Sequence, residues 1–277
     1  MKRSPILLLA FCLTQALSAG PFVVQDRPGY NSWPMVQAIG KRLVCAYSRG
    51  KGHDIVEGGR GVYVRVSDDF GRTWSNEVTV VDLPSHGESV VGKGLDATGA
   101  ALFWVRAFSP SEKHHDLYRT KDGIRFEKIA TPVLSPKPIQ ITDVFSVPGK
   151  GLMALWFSGW LSGEGNAWGT LVSADGGRTW TQRTVERVRD VKDLATEPSA
   201  VWLGRGRILA IARTERGNGD GARQYQLTSE DSGETWKRLP TNIGDVCHST
   251  PSLVADTKSG MLFNYYYERG KGLVKRR

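Results

Sequence analysis

The sequence predicts an all-β chain folded as a propeller, and three observations carry that prediction. An eight-residue motif, S-x-D-x-G-x-T-W, recurs as Ser67–Trp74, Ser173–Trp180 and Ser229–Trp236, with a worn copy at Thr120–Phe126 where Phe stands for Trp. The motif aspartates Asp69, Asp122, Asp175 and Asp231 are 53, 53 and 56 residues apart. Turn-bounded apolar runs of strand length recur at the same period, and no stretch reads as a helix of more than two turns. A constant period of this size marks repeated supersecondary units, each too small to bury its own apolar face.

Each motif has the chemistry of a tight hairpin. Ser and Asp side chains bond to turn N–H groups, Gly takes the φ > 0 position, and Thr-Trp opens the next strand with its indole pinning the turn. Each unit then repeats one plan, a short stretch, a Gly turn and an apolar run. The five runs are Leu43–Tyr47, Ala101–Val105, Leu152–Phe157, Ile208–Ala212 and Met261–Tyr265. Gly272–Arg276 reads as one further strand.

Composition narrows the class. The chain has 277 residues, 40% hydrophobic content, nine Trp, 32 Gly and a formal charge of +9. It contains no nucleic-acid module, and its one basic run is the short tail Lys275-Arg276-Arg277, so the positive balance points to a small anionic group over nucleic acid. Residues 1–20 read as a secretory signal peptide, with Lys2 and Arg3, an apolar stretch Ile6–Leu13 and small residues at Ala16-Leu17-Ser18. That stretch is too short to span a bilayer, so a secreted or periplasmic location is expected, with residues 21–277 forming the propeller domain. Cys45 and Cys247 are expected as two buried thiols in preference to a disulfide. His114-His115 reads as a loop pair before a strand. The five histidines have no metal-ligand spacing, and no phosphate loop or serine nucleophile elbow is present, so no cofactor is expected.

Arginine recurs at the ends of the apolar runs, as Arg49, Arg106, Arg213 and Arg269. Equivalent positions on radial blades lie at equivalent distances from one axis. Four guanidinium groups gathered there would suit a carboxylate, which planar forks bind bidentately.

The repeated motif resembles the Asp box (BNR repeat) of the sialidase superfamily, whose boxes sit on the rim of a six-bladed β-propeller. Leu43–Arg49, Asp54 and Gly61–Ser67 resemble that family's first blade. The resemblance implies a retaining exo-α-sialidase acting on a terminal carboxylate-bearing sugar. Asp54 matches the acid/base, and Glu197 matches the glutamate that activates a tyrosine nucleophile. Arg49 matches the arginine of the first-blade strand end, Arg213 a triad arginine, and Arg269, more loosely, a later one. Two departures stand out. Ser32 occupies the place of the family's first triad arginine, so either Arg106 or Arg27 replaces it, or the ligand is not an ordinary sialic acid. Six blades of ~53 residues need roughly 320 residues, so about four and a half blades are expected, with the nucleophilic Tyr beyond residue 277. Tyr265-Tyr266-Tyr267 reads as packing. The alternatives are a non-catalytic Asp-box propeller that binds carbohydrate or protein, and an inactive truncated relic.

Overall fold

The computed structural model describes residues 22–53, 59–159, 165–215, 222–244, 249–256, 258–268 and 272–276. The stretch expected to be a signal peptide, Asp54, Cys247 and Arg269 lie outside these residues. Among the described residues every regular element is a strand apart from a 3-10 turn at Val191–Asp193.

Antiparallel meanders follow one another in chain order. The first is β1 (Tyr30–Ile39), β2 (Arg42–Gly50), β3 (Gly61–Ser67) and β4 (Val78–Val81). The second is β5 (Gly87–Leu95), β6 (Ala101–Phe108), β7 (Lys113–Thr120) and β8 (Glu127–Ala130). The third is β9 (Gln140–Val147), β10 (Gly151–Ser158), β11 (Asn166–Ser173) and β12 (Thr181–Val188). The fourth is β13 (Thr196–Gly204), β14 (Arg207–Arg213), β15 (Arg223–Ser229) and β16 (Lys237–Gly244). A three-stranded sheet of β17 (Ser252–Asp256), β18 (Met261–Glu268) and β19 (Gly272–Arg276) completes the described residues. The five apolar runs form the second strand of each sheet.

The first strands touch in sequence, β1 to β5, β5 to β9, β9 to β13 and β13 to β17, giving a propeller-like fan. Between β5 and β9 the approach is close enough to make a parallel bridge at Gly94 and Val144. Alternation along each second strand sends side chains to both neighbouring blades. Ala101, Phe103 and Val105 of β6 pack on Val44, Ala46, Val62 and Val64 of the first sheet. Leu102 and Trp104 pack on Ile141, Ala154 and Trp156 of the third. Leu155, Phe157 and Trp168 pack on Ala210, Ala212 and Leu227 of the fourth. Cys45 is a buried free thiol, pushed up to about 11 by its burial.

The Asp boxes connect the third and fourth strands, on the outer side of each sheet. In three of them one geometry repeats. Asp69 accepts from the Thr73 N–H (2.9 Å), the Thr73 hydroxyl (2.7 Å) and the Ser67 hydroxyl (2.8 Å). Asp175 and Asp231 take the same bonds from Thr179 and Ser173, and from Thr235 and Ser229. These donors, the threonine hydroxyls first, hold Asp69 and Asp231 down to about 2. The Trp74, Trp180 and Trp236 indoles donate to the box glycine carbonyls at 2.9–3.1 Å.

The box also seats on the preceding blade. Trp180 stacks 5.3 Å from Trp104, and Trp236 lies 5.8 Å from Trp168. At Gly177 φ is +95°, and a Cβ there would stand 3.0 Å from Leu117 and 3.3 Å from Ile129, both in the second sheet. Gly177→Ala is therefore expected to lose about 1–3 kcal/mol from overpacking and strain. Gly149→Ala supplies the comparison, with φ at +80° but open space around the Cβ. Urea midpoints of the two variants separate strain from packing, and equal losses would refute the inter-blade seat.

Candidate active site

The first strands carry bulges near their starts. The register of β1 shifts between Ser32 and Met35, and that of β13 between Thr196 and Ser199. Each bulge holds a non-glycine residue at positive φ directly before a proline: Trp33 (φ 50°) before Pro34, and Glu197 (φ 47°) before Pro198. Bulges re-aim side chains, and residues held in the left-handed region concentrate at functional sites.

The bulge aims Glu197 at Arg213, the last residue of β14. Arg213 Nη1 donates to Glu197 Oε2 (3.1 Å), and Nη2 donates to Glu215 Oε1 (2.6 Å). The three side chains are 14%, 20% and 10% exposed, so the paired charges are screened little by solvent. The Thr250 hydroxyl donates to the same Glu197 oxygen, and Thr196 Oγ1 donates to Glu215 (3.1 Å).

Arg106, in β6, joins this group. Its Nη1 donates to the Ile139 carbonyl (2.9 Å). Burial pushes its guanidinium down to about 10, Glu197 opposes that shift, and the Arg60 charge adds to it. Glu197 and Arg60 are thus the charges Arg106 feels. Arg60 is 2% exposed, with its guanidinium 4.8 Å from the Trp33 ring and 5.8 Å from Tyr30, and it donates to the Gly52 carbonyl.

Arg213 is thus paired with Glu197 in the fourth sheet, and Arg106, from the second, lies within electrostatic reach of Glu197 and of Arg60. Arg49 is not among them. Val44 and Ala46 face the second sheet, so Arg49, at odd parity with Cys45 and Tyr47, projects from the opposite face of β2. There it donates to Glu77 (2.8 Å) and stacks 4.3 Å over Tyr63. Arg27 meets the same Glu77 (3.1 Å), so it does not stand in for the arginine that Ser32 lacks. Arg60 follows the pairing of Arg49 with Gly61 by one position and takes the face that Arg49 misses. Tyr47 also donates to Glu77 (2.6 Å), but burial and that carboxylate push its phenol up to about 12, so the pair is a structural clamp and not an activated nucleophile. Among the described residues no tyrosine hydroxyl bonds to Glu197. His114 and His115 correct the loop expectation: both lie within β7, because Lys113–His115 pairs with Arg106–Phe108.

Glu215 and Thr250 were not legible as site residues. The signal for Glu215 was available in the short spacing Arg213-Thr214-Glu215. Thr250 comes from a distant segment with no motif of its own.

The BNR repeat-like domain family matches residues 41–268. No curated protein matches the chain in sequence. A solved protein of unknown function from Dyadobacter fermentans is similar at TM-score 0.73 and 17% identity, over 92% of this chain and 80% of that one. A variant of the NanB sialidase from Streptococcus pneumoniae follows at TM-score 0.69 and 13% identity, over 92% of this chain and 61% of that one. Trypanosoma rangeli sialidase, solved in complex with sialic acid, gives TM-score 0.61 and 15% identity, over 87% of this chain and 44% of that one. At these identities the likeness is one of fold. With the family match covering most of its length, the chain belongs to the BNR repeat-like domain family and has a sialidase-like fold.

Proposed function

We propose that the chain forms the carboxylate-binding part of a glycoside hydrolase of exo-α-sialidase type, acting on a terminal acidic sugar. The observation that carries this reading is that Arg213 pairs with Glu197 while Arg106, from another sheet, feels the charges of both Glu197 and Arg60. Cations gathered at one place repel each other, and a bound anion offsets that cost. Arg106 approaches from the second sheet, and Arg213 is already oriented by its two carboxylate partners.

Hydrolysis on this reading is retaining, with a tyrosine in place of the usual second carboxylate. Asp54, outside the described residues, protonates the leaving oxygen, and the arginines hold the sugar carboxylate. Glu197 draws the proton from a tyrosine that attacks the anomeric carbon. Its present partners, Arg213 and Thr250, hold its carboxyl in place at the end of β13.

Methyl α-sialoside titration and hydrolysis of an aryl α-sialoside test the reading together. Arg106→Met is expected to weaken binding by about 10–100-fold, the loss of a charge-assisted contact. Asp54→Asn is expected to abolish hydrolysis while leaving binding measurable. Binding without turnover would favour the carbohydrate-binding alternative, and absence of any acid-sugar binding would overturn the proposal.

A further inference from the structure

The end of the molecule opposite the candidate site carries a surface that the proposed function does not use. In the first sheet Leu43 pairs with Ser67 at the box end, and Arg49 with Gly61 at the far end. The fourth sheet is laid out alike, with Ile208 against Ser229 at its box and Arg213 at the other end of β14. The box turns are therefore tips of the end away from Arg213 and Glu197.

The first two tips differ from the rest. The residue after the box aspartate is left-handed in three copies, at Phe70 (φ 61°), Gly176 (φ 73°) and Ser232 (φ 59°). Glycine takes that conformation readily, whereas a bulky side chain is strained there. Phe70 accepts the strain without gaining burial, since it is 76% exposed. Ile124, in the second box turn, is 47% exposed. The two turns are neighbours, because Arg42 forks to Asp68 (2.7 Å for both bonds) and also donates to the Asp122 carbonyl (3.0 Å). Lys41, Arg72, Lys121 and Arg125, on the same turns, are all exposed. The acids among them are engaged. Asp68 is held by Arg42, Asp69 by Thr73 and Ser67, and Asp122 by the Ile124 and Arg125 N–H groups (2.8 and 2.9 Å). The fourth box, by contrast, exposes Glu230 and Glu234.

We propose that the first two box turns form a docking surface for an anionic lipid bilayer. Phe70 and Ile124 enter the interfacial layer, while the four exposed cations meet the headgroup charge. The shape favours a bilayer over a protein partner, since apolar side chains on separate turn tips enter a fluid layer without needing a matching pocket. Docked this way, the chain holds its Arg213–Glu197 end away from the lipid. None of this rests on the function proposed above.

Flotation of the chain with phosphatidylcholine vesicles, with and without phosphatidylserine, tests the proposal. Binding to the anionic vesicles is expected to be at least about 10-fold tighter than to the neutral ones, and to weaken as salt is added. Phe70→Ser installs the residue that the fourth box already holds in this conformation. It is expected to weaken vesicle binding about 10-fold, a part of the transfer of a phenyl ring out of water. Its urea midpoint should stay at or above the parent's, because strain is relieved and no packing is lost. Lys121→Glu combined with Arg125→Glu should remove the preference for anionic vesicles. Absence of binding to either vesicle, or binding unchanged in Phe70→Ser, would overturn the proposal and assign the tips to a protein or nucleic-acid partner. Equal binding of the parent to both vesicles would overturn it as well, because the cations would then take no part.

Discussion

Replacing Arg213 with leucine is expected to destabilise the fold by about 3–5 kcal/mol and to abolish acid-sugar binding. The size follows from what the substitution leaves behind. Glu197 and Glu215 both bond to Arg213 and are mostly shielded from water, so removing the cation takes away the ion pair that the two carboxylates share. Arg213→Lys keeps the charge but cannot fork to both glutamates, and should fall between the parent and the leucine variant. Guanidinium denaturation of the three proteins at pH 8 checks this. A leucine variant as stable as the parent at pH 8 would mean that the cluster is not coupled as described.

The second large effect is pH-dependent. Glu88, fully buried at the start of β5, is pushed up from 4.5 to about 7, chiefly by burial, with the Asp82 and Asp116 charges adding to the shift. The Leu83 N–H donates to one of its oxygens (3.3 Å), and the other has no partner. Tyr63 donates to Asp82 (2.6 Å), while Lys128 and His114 each lie 3.5 Å from Asp116, so those two carboxylates have support that Glu88 lacks. The sign follows directly. Below pH 4 the Glu88 carboxyl is protonated in both folded and unfolded chains and costs nothing. From pH 4.5 to 7 the unfolded chain ionises first, and stability falls as pH rises. Above pH 7 the full loss is in place, about 3 kcal/mol from the shift. Glu88→Gln removes the titration, so it should match the parent at pH 4 and exceed it by most of that amount at pH 8. Parallel stability profiles across this range would contradict the assignment.

Much of the architecture was legible because it rests on local chemistry that repeats. Ser, Asp, Gly, Thr and Trp at fixed offsets specify the box turn wherever they occur, and the apolar runs mark every second strand. Arg213 was placed by its position at the end of an apolar run, and Glu197 by the resemblance of the stretch that opens the fourth unit. Arg49 and Arg60 show where such reading stops. In a strand a slip of one residue exchanges faces, and the run ending in Arg49 is offset by one from those ending in Arg106 and Arg213. Sequence spacing placed the arginine at the correct end of the blade, but not on the face where the group forms.

The seating of the later boxes against the sheet made before them has a consequence for biosynthesis. Gly177 rests on Leu117 and Ile129, and Gly233 on Met153, so every such joint needs only residues already translated. A nascent chain can therefore fasten each finished blade as it emerges, vectorially from the N-terminal side, without waiting for the part still inside the ribosome.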